Sequence, residues 1–144
     1  MAETDTPTPA VPDTLDGVPL DFRAVFQHML NGFALHEMLF DAQGRPCDYR
    51  FLAVNPAFET LTGLRAKDIL GRTVLEVLPN TEPFWIETYG RVVLTGQPCR
   101  IENYSRELER YYDVAAYRAA PGRFVAVFED ITARKRAEES LRES

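Results

Sequence analysis

No stretch of this sequence is apolar for long enough to cross a membrane, because none approaches the roughly 20 residues that a spanning helix needs. The first residues, Met1–Asp5, also lack the positive start and the apolar run of a secretory signal. We therefore expect a cytoplasmic protein with no membrane partner.

An excess of positive charge is missing as well. Asp and Glu number 22 against 16 Lys and Arg, which gives a formal net charge of -6 at pH 7. Proteins that bind nucleic acid or anionic lipid surfaces use clustered Lys and Arg against the phosphates. The charge balance therefore argues against both surfaces, and we expect no nucleic-acid partner.

Cysteine and histidine are scarce. Cys47 and Cys99 stand far apart without a CxxC pattern, which is typical of two reduced thiols. His28 and His36 are eight residues apart with no cysteine cluster near them, so the spacing of metal ligands is absent from the sequence. A Gly-rich phosphate loop is also absent. We predict no metal site.

What the sequence does contain is enough apolar material for one core. The 144 residues, 45% of them hydrophobic, fit a single domain. Residues 1–18 are rich in Pro and Thr and are predicted to be a disordered lead-in. Apolar residues then recur at three- and four-residue spacing over 20–30, which predicts an amphipathic helix with Asp21 or Pro19 near its start and Gly32 beyond its end. Its apolar face packs either on the domain's own sheet or on a second subunit.

The rest of the chain alternates between strand-like and helix-like segments. Five segments have the apolar or alternating pattern of β-strands: Phe33–Phe40, Asp48–Val54, Cys99–Ser105, Arg110–Arg118 and Arg123–Glu129. Two strands at one end and three at the other can close one antiparallel sheet with helices on one face. The sequence therefore predicts an α+β fold.

Helices are expected between the second and third strands. Asn55 is a good N-cap, and Gly63 stops the helix that follows after about two turns. Residues 66–70 form a further turn, and residues 73–79 are ambiguous between a helical turn and a loop. Residues 82–96 carry a wide apolar stripe over about three turns. These helices must wall a space against one face of the sheet.

The last strand runs directly into a charged helix through Asp130, Ile131 and Thr132. Asp130 or Thr132 can accept backbone N–H groups in the first helical turn, while Ile131 stays on the sheet. An ordinary helix cap is the simpler interpretation; transmission of a change in the strand to the helix is the functional one. Because no Gly or Pro ends this helix by Ser144, we expect the natural protein to continue.

Several motifs, in this order, resemble the PAS sensor domains. The matching segments are Asn55-Pro56-Ala57-Phe58, Thr62-Gly63-Leu64, Ile69-Leu70-Gly71, Asp130-Ile131-Thr132 and Arg134-Lys135. The resemblance covers about residues 20–144. It implies a sheet with strand order 2-1-5-4-3, a ligand-sized cavity, and coupling to a histidine kinase, nucleotide cyclase or transcription factor in the same chain. The domain is expected over 19–131, with 132–144 starting a C-terminal signalling helix.

The cavity is expected to be lined by side chains from the sheet and the longer helix. The candidates are Phe33, His36, Phe51, Asn55, Trp85, Tyr89, Tyr104 and Tyr112. Asn55 faces the cavity mouth in the family that the chain resembles, although helix capping is its simpler role. An aromatic cavity with a few polar tips suits a small organic ligand. Plain core packing is the alternative for most of these residues.

Two family cofactors lack their expected residues. A heme-binding member would offer a histidine on the longer helix, and residues 84–95 contain none. A flavin-binding member would carry a reactive cysteine near the short helices, and residues 80–82 contain none. The resemblance therefore predicts neither heme nor flavin.

Residues for a homodimer contact are expected on both terminal helices. Ala137 and Leu141 share a narrow stripe with opposite-charge flanks, which is typical of a starting two-stranded coiled coil or of a solvated single helix. Phe22, Phe26 and Met29 are the candidates on the first helix.

Three functions fit the sequence. The first is a sensor or input module without catalytic activity of its own, which binds a small molecule or a partner and acts through the last helix. The second is a ligand-free, constitutive dimerisation module. The third is a small enzyme that uses His36 with Glu37 or Asp113 as an acid/base pair. Adjacent strand residues point to opposite faces, so the spacing of His36 and Glu37 argues against the enzyme.

Overall fold

The computed structural model describes residues 14–143. Its strands are β1 (Thr14–Leu15), β2 (Val18–Pro19), β3 (Gly32–Phe40), β4 (Pro46–Val54), β5 (Cys99–Ser105), β6 (Arg110–Ala120) and β7 (Arg123–Asp130). Its helices are α1 (Phe22–His28), α2 (Pro56–Thr62), α3 (Ala66–Ile69), α4 (Val74–Val77), α5 (Pro83–Thr95) and α6 (Thr132–Glu143). None of the helices within this range combines the length and the apolar character needed to cross a membrane.

Strands β3 to β7 form one antiparallel sheet in the order β4-β3-β7-β6-β5. Counted along these five strands, this is the order 2-1-5-4-3, so the predicted sheet and the α+β class are confirmed. Strand β6 runs two residues further than its pattern predicted, to Ala120, because it keeps pairing with β7 across a register shift after Arg118.

One face of the sheet carries the core. Side chains such as Phe124, Val114 and Met38 alternate inward and are buried under α2, α4 and α5. Helix α5 approaches β4 so closely that a Cβ at Gly90 would collide with the ring of Pro46. Large side chains from both sides fill most of the space between the sheet and the helices.

Local capping explains where the short helices begin. Thr73 and Glu76 form a capping box, with Thr73 Oγ1 accepting the Glu76 N–H and Glu76 Oε1 accepting the Thr73 N–H. The ambiguous segment is thus a helix, α4. Helix α2 ends at Gly63, which has a left-handed φ of 81° that favours glycine.

The first helix begins and ends in agreement with the sequence. Its N-cap is Asp21, and Gly32 lies beyond its end. It opens β3 opposite Phe128, where any Cβ would collide with the ring of Phe128. Of the predicted lead-in, residues 1–18, the first 13 lie outside the described residues. In the remainder, Thr14–Leu15 pairs with Val18–Pro19 in a small hairpin.

Candidate functional site

A cavity of about 100 Å³ lies between the inner face of the sheet and helices α2, α4 and α5. Its floor contains Ala34 and Ala126, which face each other across β3 and β7. Two methyl side chains at this position leave the space that larger residues would fill. The walls are mainly aromatic.

Five of the predicted residues meet at this cavity: His36, Phe51, Trp85, Tyr89 and Tyr112. They come from β3, β4, α5 and β6, far apart in the sequence. The structure therefore assembles the expected wall from the longer helix and the sheet.

Phe33 and Tyr104 do not line the cavity. Phe33 is one residue out of phase with Ala34 and His36, and it contacts Phe26 of α1 edge-on at 5.0 Å. Tyr104 pairs with Tyr111 on the opposite face of the sheet, with ring centroids 4.9 Å apart. Strand alternation explains both placements.

Asn55 is buried and is not among the residues that line the cavity. Its Oδ1 accepts the N–H groups of Phe33 and Phe58, both at 2.9 Å, and its Nδ2 donates to the carbonyls of Asn31 and Phe26. One amide side chain thus caps α2 and ties it to β3 and α1. Capping is the role that the geometry supports.

Several residues that line the cavity were not predicted from the sequence. Tyr49 and Phe128 are large aromatic ones, and Ala34 and Ala126 form the floor. Phase along the strand was the available signal, since Tyr49 is two residues from Phe51 and Ala34 is two residues from His36. Phase places Ala34 on the lining face, but no local pattern indicated that Ala34 and Ala126 leave a cavity, because small residues mark a cavity only once their neighbours are known.

His36 sits at the centre of an aromatic cluster. Its ring stacks on Phe124 with centroids 4.3 Å apart, and Tyr49 meets it edge-on at 4.8 Å. Burial lowers the pKa of His36 to about 3, and the backbone of Phe124 offsets only part of that effect. Its Nδ1 is buried and has no hydrogen-bond partner among the described residues. The imidazole is therefore neutral at pH 7.

The cavity wall as a whole is uncharged. Of the described residues that line it, none is Asp, Glu, Lys or Arg. Burial raises the pKa of Tyr49 and Tyr89 well above that of a free tyrosine, and it raises the pKa of Tyr112 to about 12. The hydroxyl of Tyr112 donates to the carbonyl of Leu61 at 3.1 Å.

The acid/base pairs of the enzyme hypothesis are not assembled. Glu37 points to the other face of the sheet, where its carboxylate lies 3.8 Å from Arg50. Asp113 is also on that face, paired with Arg100 at 2.8 Å. The Arg100 guanidinium, which outweighs the opposing effect of burial, lowers the pKa of Asp113. Neither carboxylate reaches His36.

The lining does not supply the groups that bind the family cofactors. His36 is the histidine at the cavity, and it lies on β3 and not on α5. Cys47 is exposed and Cys99 is half-buried, and neither lines the cavity, so no thiol is placed for a flavin adduct. A volume of about 100 Å³ is also below the roughly 300 Å³ at which pockets for drug-sized ligands begin, and heme and flavin are at least of that size. The absence of heme and flavin stays a prediction.

No metal centre is apparent in the part of the chain that the structure describes. Within residues 14–143, no three His, Cys, Asp or Glu side chains are grouped as a metal ion would require.

The junction between β7 and α6 is held by β6. The Ile131 N–H donates to the Tyr111 carbonyl, and Thr132 Oγ1 accepts the Tyr111 N–H, both at 2.9 Å. Asp130 Oδ1 accepts the Thr132 N–H, while its Oδ2 contacts Arg110 at 2.9 Å. Ile131 is buried. The three predicted coupling residues thus lie in one hydrogen-bonded corner.

A second contact, missed in the sequence, ties α6 to β5. Glu102 accepts from Arg134 at 2.7 Å and lies 3.1 Å from Lys135 Nζ. The hydrogen bond from Arg134, followed by that from Lys135, lowers the pKa of Glu102. No local pattern could reveal it, because 32 residues separate the two partners.

The fold is similar to those of many solved structures, of which three are described here. An RNA-binding light-oxygen-voltage receptor matches with a TM-score of 0.64 and 16% identity. The match covers 93% of this chain but only 40% of the receptor's chain. A domain of a sensory box sensor histidine kinase/response regulator from Geobacter sulfurreducens matches with a TM-score of 0.56 and 20% identity, over 76% of this chain and 90% of that domain. A domain of an HTR-like protein from Haloarcula marismortui matches with a TM-score of 0.55 and 18% identity, over 72% of this chain and all of that domain.

At these identities the likeness is one of fold. No curated protein matches the sequence. The family model described as the PAS fold, in contrast, matches residues 47–136, from the second strand of the sheet into the last helix. That range holds the cavity helices and the Asp130 corner. The chain therefore belongs to the PAS-fold family.

Proposed function

We propose that this chain is the input module of a larger signal-transduction protein. It binds a small molecule in the aromatic cavity and passes the change to an effector domain through α6. The observation that carries the proposal is the position of two adjacent residues on β6. Tyr112 lines the cavity, and Tyr111 makes both hydrogen bonds to the start of α6.

This placement makes the route from cavity to helix very short. A ligand that moves the ring of Tyr112 strains its bond to Leu61 on α2 and shifts the β6 backbone at the same point. The backbone N–H and C=O of the preceding residue, Tyr111, are bonded to Thr132 and Ile131. Changes in the cavity and in the first turn of α6 are therefore coupled by continuous backbone.

The test replaces Tyr112 with Phe, which keeps the ring and removes the bond to Leu61. We expect faster amide exchange at Ile131 and Lys135, whose N–H groups are bonded to Tyr111 and Ile131. Tyr117→Phe is the matched control, because Tyr117 lies on the same strand but is 44% exposed. Equal exchange in the two variants would contradict the route through β6.

Native mass spectrometry of the purified protein addresses the ligand itself. A mass excess over the denatured chain is expected when a small molecule remains in the cavity. If neither a mass excess nor a binding metabolite from a broad collection is found, sensing by ligand is overturned.

A second candidate function is a constitutive dimerisation module without a ligand. It is favoured by α1, which has no buried residue and leaves Phe22 and Val25 43% and 44% exposed. In this case the cavity is a packing gap, and α6 continues a dimer contact begun by α1. The neighbours that are light-oxygen-voltage proteins add no support for either candidate, since their likeness is one of fold.

A further inference from the structure

The charge of the residues that line the cavity limits the class of ligand that the cavity can bind. None of the described residues lining the cavity carries a formal charge at neutral pH: Asp, Glu, Lys and Arg are absent from the lining, burial keeps its histidine neutral, and tyrosine is neutral at this pH in any case. A charged ligand would lose its hydration here without gaining a counter-charge. Anions and cations are therefore disfavoured.

Four hydroxyls of the lining are also engaged within the protein, whereas His36 Nδ1 has no partner among the described residues. The hydroxyls of Thr62 and Thr81 donate to the carbonyls of Phe58 and Leu78, each at 2.7 Å. The Tyr112 hydroxyl donates to Leu61, and Ser105 Oγ accepts the N–H of Leu108. A ligand with many polar groups, such as a sugar, would leave most of them unpaired.

Ring geometry favours an aromatic occupant over an aliphatic one. Tyr49 meets Tyr89 edge-on at 5.6 Å, and Tyr112 meets Phe128 edge-on at 5.3 Å. The rings in the wall thus stand nearly perpendicular to their neighbours, and aromatic faces and edges are the surfaces that attract a further ring. Aliphatic rings lack the matching quadrupole.

The volume of the cavity sets an upper limit on the size of the ligand. A cavity of about 100 Å³ is smaller than the roughly 150 Å³ engineered cavity in another protein that stays dry and binds benzene. A single ring, with slight movement of the wall, is the largest molecule that fits. The floor formed by Ala34 and Ala126 is where the ring would rest.

We propose that the cavity binds an uncharged molecule with a single aromatic ring, of the size of benzene or phenol. This inference rests on the proposed sensor function and specifies its ligand. The aromatic walls select the ring, the lack of charge rejects benzoate or benzylammonium, and the alanine floor supplies the space.

The experiment titrates the purified chain with phenol, cyclohexanol, benzoate and benzylammonium, measured by ligand-observed NMR. We expect phenol to bind at least roughly tenfold more tightly than each of the other three, since tenfold corresponds to only about 1.4 kcal/mol. Phenol should also slow amide exchange at Ile131. Equal binding of phenol and cyclohexanol would overturn the aromatic preference.

A second experiment replaces a floor alanine of the cavity with a larger side chain. Ala126→Leu is expected to weaken phenol binding at least roughly tenfold, in line with loss of the cavity. Ala126→Val is the smaller filler to use if the Leu variant does not fold. Ala115→Leu, on the exposed outer face of the neighbouring strand, is the control and should bind as the parent does. Phenol binding unchanged by both fillers would overturn the site.

The outcomes separate the ligand class from the function. If another ligand, found by native mass spectrometry, binds in the cavity and slows exchange at Ile131, the ligand class is wrong and the sensor function stands. If nothing binds and the fillers leave α6 exchange unchanged, both are overturned.

Discussion

Burial keeps His36 unprotonated in the folded protein, and this makes the stability of the fold sensitive to acid. The pKa of His36 is about 3 in the folded chain, against about 6.5 for an exposed histidine. Below pH 6.5 the unfolded chain takes up a proton that the folded chain does not. Stability is therefore full above pH 6.5 and is lost as pH falls towards 3.

We expect His36→Phe to remove this loss between pH 6.5 and 5, where the carboxylates stay ionised. In the parent, the free energy of unfolding should fall by up to about 1.4 kcal/mol per pH unit in that range. Urea unfolding at several pH values measures it. His28→Gln, at an exposed position of α1, is the control. Parallel pH profiles for the parent and His36→Phe would contradict the prediction.

Asp130 is the residue that carries the cap of the junction. Burial acts to raise its pKa, but the hydrogen bonds from Thr132 and the bond from Arg110 outweigh it and leave the pKa below the usual value. The stabilisation is thus present at neutral pH and lost as the pH falls through that lowered pKa. We expect Asp130→Ala to destabilise the protein by about 1 kcal/mol, as for other lost caps.

Circular dichroism and amide exchange over residues 132–143 check the loss of the cap. Asp130→Asn separates the two contacts, because it keeps an oxygen for the Thr132 N–H and removes the charge that faces Arg110. An Ala variant with unchanged helix content and exchange would remove Asp130 from the coupling.

At the level of elements, α6 is attached to the sheet by a polar corner and by one carboxylate. Glu102 binds Arg134 and Lys135 on the exposed side of the first turn. Such a contact is weakened by salt, because exposed charges are screened over about 10 Å at 0.1 M ionic strength. This part of the attachment of α6 therefore depends on ionic strength.

We expect Glu102→Gln to speed amide exchange in the first turn of α6 severalfold at low salt and far less at about 1 M salt, where the parent has lost the same contact. Hydrogen exchange at Lys135 measures the effect. Glu87→Gln removes the same charge from the exposed side of α5 and should change neither rate. Equal salt dependence in parent and Glu102→Gln would count against the contact.

For the whole molecule, the question is whether the exposed apolar side of α1 meets a second copy. Phe22 is a better probe than Phe26, because Phe26 packs on Phe33 and its loss would also disturb the fold. We expect the parent to sediment as a dimer and the double variant Phe22→Asp with Leu141→Asp as a monomer. Leu94→Asp, an exposed apolar residue on α5, should remain dimeric. A monomeric parent at micromolar concentration would contradict the dimer.

Much of this architecture could be predicted from local chemistry. Asn55 and Gly63 mark the two ends of a helix through cap preferences, and alternation along β6 gives the faces of the sheet. The cavity volume could not be predicted, because it depends on two alanines that meet only when β3 and β7 pair. The same holds for Glu102, whose partners lie on another element.

The unbroken pairing of β6 with β7 from Tyr112 and Asp130 to Arg118 and Phe124 has a mechanical consequence. Moving one strand along the other by a single residue would turn each side chain to the opposite face and break the bond between Ile131 and Tyr111. Sliding of β6 along β7 is therefore disfavoured as a way to transmit a change. If α6 is the output of the proposed sensor, we expect it to respond to twisting of this strand pair, by rotating rather than by moving along its axis.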